Sequence, residues 1–231
     1  MKNISAIFEK QGKDMLKNAS VLMMFIIFPL VAFFMTFLVG EVEGMAANLF
    51  VAMMASVFVG MALLQATAGI IAEDRETKAL RALVIAGVKP MHYLLGIGGV
   101  VFLASGVTSV VFAFIGDFSR REMVFFLAVM LSGAIASIFL GAIVGIISKN
   151  QQGATGVSMP LAMVLGFGPM IAQFNEGVQR AFSFVYSQQI NVVVGDFSAG
   201  VLRPLAVIWA NIGVFVLLFV WIYRKKGLKG E

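Results

Sequence analysis

Six long apolar stretches lie between Val21 and Tyr223, and none carries an Asp, Glu, Lys, Arg or His well inside it. About 20 such residues in helical conformation cross a hydrocarbon core of about 30 Å. The chain therefore reads as an all-α integral membrane protein with six transmembrane helices, at about 21–39, 45–71, 93–115, 123–147, 154–172 and 201–223. With 60% of residues hydrophobic and 13% charged, against about 25% charged in an ordinary soluble domain, the 231 residues form one transmembrane domain and leave no segment for a soluble one. The absence of cysteine excludes disulfides and thiolate chemistry. A carrier driven by an ion gradient usually places an ionisable group at mid-membrane. Here the charges sit in the loops, so any energy source has to act from outside the lipid.

The net charge of +5 is a topological signal rather than a nucleic-acid footprint, because the basic residues are sorted by side of the membrane. Alternate non-membrane segments carry Lys2, Lys10, Lys13 and Lys17; Arg75, Lys78, Arg81 and Lys89; Lys149; and Arg224, Lys225, Lys226 and Lys229. The three intervening segments hold only Arg120, Arg121, Arg180 and Arg203. By the positive-inside rule both termini and the loop at Glu73 are expected in the cytoplasm, with the protein in the cell membrane. The first twenty residues are too long and too mixed in charge for a signal sequence and are expected to be retained.

Within Met1 to Ser20, Ile4, Ile7, Phe8, Met15 and Leu16 follow helical spacing while Lys10, Lys13, Asp14 and Lys17 take other faces. This predicts an amphipathic helix on the inner leaflet. The second stretch is longer than a perpendicular crossing needs and is expected to project toward Glu73 as a continuous helix. Gly141-x-x-x-Gly145 in the fourth predicts close helix packing within the subunit. Pro160 and the Gly166-Phe167-Gly168-Pro169 cluster predict a fifth span whose outer half is kinked or ends early. From Gln173 to Gly200 the chain is too polar to span. Val178, Ala181, Phe182 and Val185 there predict a short amphipathic helix that lies in the outer interface or re-enters part way.

The most informative loop is Ile71 to Pro90, I-A-E-D-R-E-T-K-A-L-R-A-L-V-I-A-G-V-K-P, which follows the second span. It is charged and helix-prone, as a docking surface for an energy-supplying partner would be. With the six spans, the amphipathic start and the broken outer segment, it resembles the permease subunits of type-2 ABC exporters, in which this place reads E-E-R-E-x-G-T-L-E-x-L-L before a P-V-S type turn. Glu73, Asp74, Arg75, Glu76, Leu80 and Leu83 match by residue or by type. Lys78, Ala79, Arg81 and Gly87 stand where the family has Gly, Thr, Glu and Pro. The resemblance implies that two permease subunits, identical or paralogous, pair around a pathway. It also implies that each docks on a separate ATP-binding cassette subunit through the segment Glu73 to Leu83, the coupling helix, and through the N-terminal helix. Carboxylates in the first turn of such a helix suit its positive end, and Leu80 and Leu83 suit an apolar groove.

No catalytic, cofactor or metal site is expected in the chain. It lacks a G-x-x-x-x-G-K-[ST] phosphate loop, so ATP hydrolysis belongs to the partner. The single histidine, His92, reads as an interface residue. Among the few polar residues in the spans, Gln65 and Asn211 are the candidates for lining a pathway. A chain with no charged binding site suits an amphipathic or hydrophobic cargo: a drug, an antimicrobial peptide or a lipid-like compound. The same composition also fits a stand-alone channel or an immunity or assembly factor with no ATPase partner.

Overall fold

The computed structural model describes residues 2–39, 48–79 and 90–226. Helix α1 spans Lys2–Lys17. Six further helices are long and apolar enough to cross a membrane. They are α2 over Ala19–Val39, α3 over Leu49–Glu76, α4 over Pro90–Ile115, α5 over Arg120–Ile147, α6 over Gln151–Ala172 and α9 over Leu202–Lys226. Two short helices, α7 at Glu176–Ala181 and α8 at Gln188–Gly195, lie between the last two spans. No strand occurs among the described residues.

Helix α1 is docked rather than free. Ile7 and Phe8 lie on glycines of α4, where a Cβ at Gly96 would come within 2.5 Å of Ile7 Cγ2 and one at Gly99 within 3.3 Å of the Phe8 ring. The apolar face is narrower than the sequence suggests, since Leu16 is 67% exposed while Gln11 is buried. Asn18 ends α1 and accepts the Val21 N–H at 3.2 Å, capping α2. The turn between the two helices is thereby fixed.

The centre of the bundle is α3, with 72% of its apolar window buried against 22% for α2 and 17% for the last span. It packs on α5 through the expected glycines. A Cβ on Gly141 would lie 2.6 Å from the Leu64 carbonyl oxygen, and one on Gly145 2.7 Å from Ile71 Cβ. Backbones at that distance gain dispersion contacts that lipid tails cannot supply. Midway, Phe58–Ala62 form a π-helical turn. Phe58 is fully buried there, with its ring 5.7 Å from Phe25 and 5.9 Å from Phe112. A π turn displaces the hydrogen-bond ladder of a helix, and the Ser137 hydroxyl of α5 donates to the Val59 carbonyl at 2.5 Å.

Helix α6 runs through both Pro160 and Pro169 to Ala172, where the fifth span is expected to end. Two side chains of the following segment make this possible. Ser187 donates to the Leu165 carbonyl at 2.5 Å, and the Asn191 amide donates to the Pro169 carbonyl at 2.9 Å. Partners 187 and 191 step along α8 as 165 and 169 step along α6, so the two helices run side by side in the same direction. The chain between them has turned back into the bundle. Tyr186 at its tip is fully buried, with its hydroxyl 3.0 Å from Ser137 Oγ. Val59, Leu165 and Asn211, the levels at which the tip is held, lie about 10–15 Å from the nearer ends of their helices at 1.5 Å per residue. The segment is thus re-entrant, and its buried stripe is Tyr186, Ile190, Val193 and Val194. The stripe expected at Val178, Ala181, Phe182 and Val185 is at most half-buried, because Phe182 packs on Gly168 at the rim while Ala181 faces outward. Asp196 closes the segment, and its carboxyl is held below the usual range by the Ser198 hydroxyl and backbone N–H.

Candidate functional site

Helix α3 continues past the apolar core, as the length of the second span predicts, and carries Glu73, Asp74, Arg75 and Glu76 in its last turn. Thr77 caps the C-terminal end, with its hydroxyl donating to the Glu73 carbonyl at 2.9 Å. The three carboxylates therefore do not open a new helix, where the positive end would favour them. They close the second span, where the helix dipole opposes them. Three of the four charged side chains meet partners in other elements, and those partners offset the unfavourable placement.

Asp74 is buried to 8% exposure. Tyr93, at the start of α4, donates its hydroxyl to Asp74 Oδ2 at 2.7 Å, and Lys10 of α1 stands 3.6 Å from Oδ1. Lys10 is shared with Asp14, 3.4 Å away on its own helix. Lys13 instead pairs with Glu9 at 2.6 Å, which lifts the Lys13 pKa and lowers that of Glu9. One carboxylate therefore joins α1, α3 and α4, with its charge compensated where desolvation would otherwise penalise it.

Arg75 extends the other way. Its Nη1 donates to the Ile146 carbonyl and, at 2.8 Å, to the Ser148 carbonyl, both at the end of α5. Those carbonyls lie at a helix C-terminus, where backbone acceptors lack helical donors and a cation is favourable. Glu76 does the converse, accepting the Gln151 backbone N–H at 3.0 Å at the first residue of α6. Asn150 caps the same helix by accepting the Gly153 N–H at 2.8 Å. A carboxylate at that terminus satisfies an otherwise unpaired donor and meets the positive end of the dipole. Within three residues, α3 is tied to α1, α4, α5 and α6.

Glu73 is the exception: it is exposed and its carboxylate has no partner among the described residues. Leu80 and Leu83, the expected apolar anchors, lie outside the described residues. Sequence reasoning missed Lys10, Tyr93 and the N-terminus of α6 as partners of this turn. The contacts are up to 75 residues apart, and no local spacing announces them.

The two polar candidates in the spans separate. Between Val51 and Ala72 of α3 only Met54, Met61, Gln65 and Gly69 are not buried. Their spacing of seven, four and four places them on one narrow stripe. The Gln65 side chain makes no hydrogen bond to another described residue, and a Cβ on Gly69 would meet open space. Asn211 of α9 is engaged, donating both to the Val207 carbonyl of its own helix and to the Phe184 carbonyl of the re-entrant tip, each at 2.8 Å. No group of three or more metal-ligating side chains occurs among the described residues.

This is an all-helical, six-span membrane protein whose second span ends in a charged turn that gathers its neighbours. The family model described as ABC-2 family transporter protein matches residues 40–223, from before α3 into the last span. No curated protein matches the chain closely enough to count as a relative. Because that match takes in well over half of the chain, including all of α3 to α8, the protein belongs to the ABC-2 family of transporter membrane proteins.

Proposed function

We propose that the chain is the permease subunit of an ATP-driven exporter, paired with a second permease and docked on a separate ATP-binding cassette subunit at the Asp74 end. The observation that carries this reading is the three-way tether of Asp74, Arg75 and Glu76. A force applied just beyond Thr77 would pass to four helices at once instead of unwinding the end of one. Glu73 and the segment through Leu80 and Leu83 are the proposed contacts with the ATPase. Asp74, Arg75 and Glu76 distribute the displacement.

For the pathway, Gln65 stands on the one open stripe of the most enclosed helix, which supports it as a lining residue. The engaged amide of Asn211 supports an anchoring role for the re-entrant tip. The apolar outer faces of α2 and α9, with Ile26, Leu30, Leu217 and Trp221 exposed, and the absence of charge within the spans favour an amphipathic or hydrophobic cargo. The basic segments favour an orientation with the Asp74 end in the cytoplasm.

The test is co-purification of the tagged chain in mild detergent beside a variant carrying Leu80→Asp and Leu83→Asp, followed by an ATPase assay. An ATPase retained by the parent and lost by the variant is the expected result. An ATPase held equally by both places docking elsewhere, and none in either sample favours a stand-alone membrane protein. Labelling of single cysteines introduced into this cysteine-free chain tests orientation. Thr77→Cys is expected to react only from inside and Ser119→Cys from outside.

A further inference from the structure

Between the end of α1, the first turn of α2 and the last turns of α3 lies a cavity of about 450 Å³ lined by Gln11, Asp14, Lys17, Asn18, Ile70 and Glu73, among others. Along α3 Ile70 lies about one turn nearer the centre of the span than Glu73, and along α2 Val21 lies about one turn in from Asn18, so the lining passes from charged and polar to apolar toward the spans. Asn18 caps α2 just where that helix becomes apolar, so the cavity straddles the level at which lipid headgroups meet hydrocarbon. It lies apart from the pathway stripe and adjoins the tether, since Asp74 also lines it.

Its acceptors are unevenly satisfied. Asp74 is occupied by Tyr93 and Lys10, and Asp14 shares Lys10. Glu73 has no partner among the described residues. Gln11 is only 5% exposed and lines the cavity, and its side chain makes no hydrogen bond to another described residue. With the rest of the residue buried, its amide can take a partner from this space. The carboxylates of Glu73 and Asp14 and the Gln11 amide oxygen together offer acceptors for three N–H groups. A primary ammonium has three donors and no acceptor. Lys17 lines the same cavity with the opposite charge.

We propose that this cavity binds the head of a phosphoethanolamine-type lipid, with its ammonium held by Glu73, Asp14 and Gln11 and its phosphate by Lys17. A basic side chain of a soluble partner fits less well, since it would have to reach to Ile70 and Val21, within the apolar level. A choline head fits less well too, because its quaternary nitrogen has no N–H to give. The site would make the junction of α1, α2 and α3 sensitive to headgroup chemistry. Glu73 is also the proposed ATPase contact, and the binding test below uses the chain without that partner.

The test is native mass spectrometry of the delipidated full chain with ethanolamine, choline and glycerol phospholipids of identical acyl chains. Binding of the ethanolamine lipid about tenfold tighter than the choline lipid is expected, the worth of roughly one charge-assisted hydrogen bond. Glu73→Gln and Gln11→Leu are each expected to bring the two lipids within about twofold of each other, with thermal midpoints unchanged to about 2 °C. Competition by free phosphoethanolamine would assign recognition to the head alone; its failure to compete would assign it to head and chains together. Equal binding of the ethanolamine and choline lipids by the parent overturns the proposal. So does a preference that survives in both variants.

Discussion

The Ser187 hydroxyl donates a 2.5 Å hydrogen bond to the carbonyl of Leu165, the carbonyl that would have paired with the backbone N–H that Pro169 lacks. A helix interrupted by proline in lipid must find a substitute donor, because no water is at hand. Here the substitute comes from the re-entrant segment. The proline therefore creates the attachment point for the element that follows it.

Replacing Ser187 by Ala is expected to destabilise the protein by about 1 kcal/mol or more, since it leaves a buried acceptor unpaired. Pro169→Ala restores an N–H at the required position of α6. In that background Ser187→Ala is expected to cost clearly less. Thermal unfolding in detergent of the two single variants and the double variant reads the difference. Additive losses would show that Ser187 does not replace the missing donor.

The four charges at the end of α3 are expected to respond unequally. Arg75→Met removes donors from two carbonyls at the end of α5 and is expected to cost about 1–2 kcal/mol, allowing for its exposure to solvent. Asp74→Leu strands the Tyr93 hydroxyl and leaves Lys10 only Asp14, and it is expected to cost at least as much. Glu73→Gln is expected to leave stability within about 0.5 kcal/mol. Under the export reading, a chain carrying Glu73→Gln should fold as the parent does and stimulate the ATPase less. A stability loss at Glu73 equal to that at Arg75 would contradict the division between the tethering and the free residues.

Gly60 and Gly69 lie nine residues apart on α3 and meet opposite surroundings. A Cβ on Gly60 would come within 2.2 Å of the Leu165 carbonyl oxygen and 2.9 Å of the Gly166 nitrogen, both backbone atoms that cannot step aside, whereas one on Gly69 meets nothing within 4 Å. Gly60→Ala is expected to cost about 2–3 kcal/mol as α6 is pushed away. Gly69→Ala is expected to gain up to about 1 kcal/mol from lower backbone entropy in the unfolded chain. Equal midpoints for the two variants in a detergent melt would mean that α3 and α6 do not meet at Gly60.

What the sequence made legible here is periodic or local. Uncharged stretches mark the spans, Gly141 and Gly145 mark a close crossing, and the charged run at Glu73 marks a special turn. What it hid is set by partners far along the chain. How α6 stays helical through Pro169 is not legible locally, because Ser187 and Asn191 lie beyond the helix they complete. The buried stripe lies about two turns later than the spacing suggests, because Val178 and Phe182 share the spacing of Tyr186 and Ile190, and only the contact of Tyr186 with Ser137 decides between them. Likewise, nothing near Asp74 in sequence identifies Tyr93 as its donor.

Lys78 supplies the last prediction. The family places Gly where this chain has Lys78, and the structure gives the physical reason: α3 ends with that residue at φ 61°, in the left-handed region. This is the position just past a helix C-terminus where a residue without Cβ is favoured. A lysine there strains its backbone by about 1 kcal/mol. Lys78→Gly is therefore expected to raise stability by about 0.5–1 kcal/mol after the added freedom of glycine in the unfolded chain is deducted. Lys78→Val, branched at Cβ, is expected to lower it. The ordering Gly above Lys above Val in thermal midpoint would establish that the second span stops at Thr77. If Val were tolerated as well as Gly, the helix would have to continue through residue 78, and the ties of Asp74, Arg75 and Glu76 to their neighbours would then lie inside a longer helix rather than at its end.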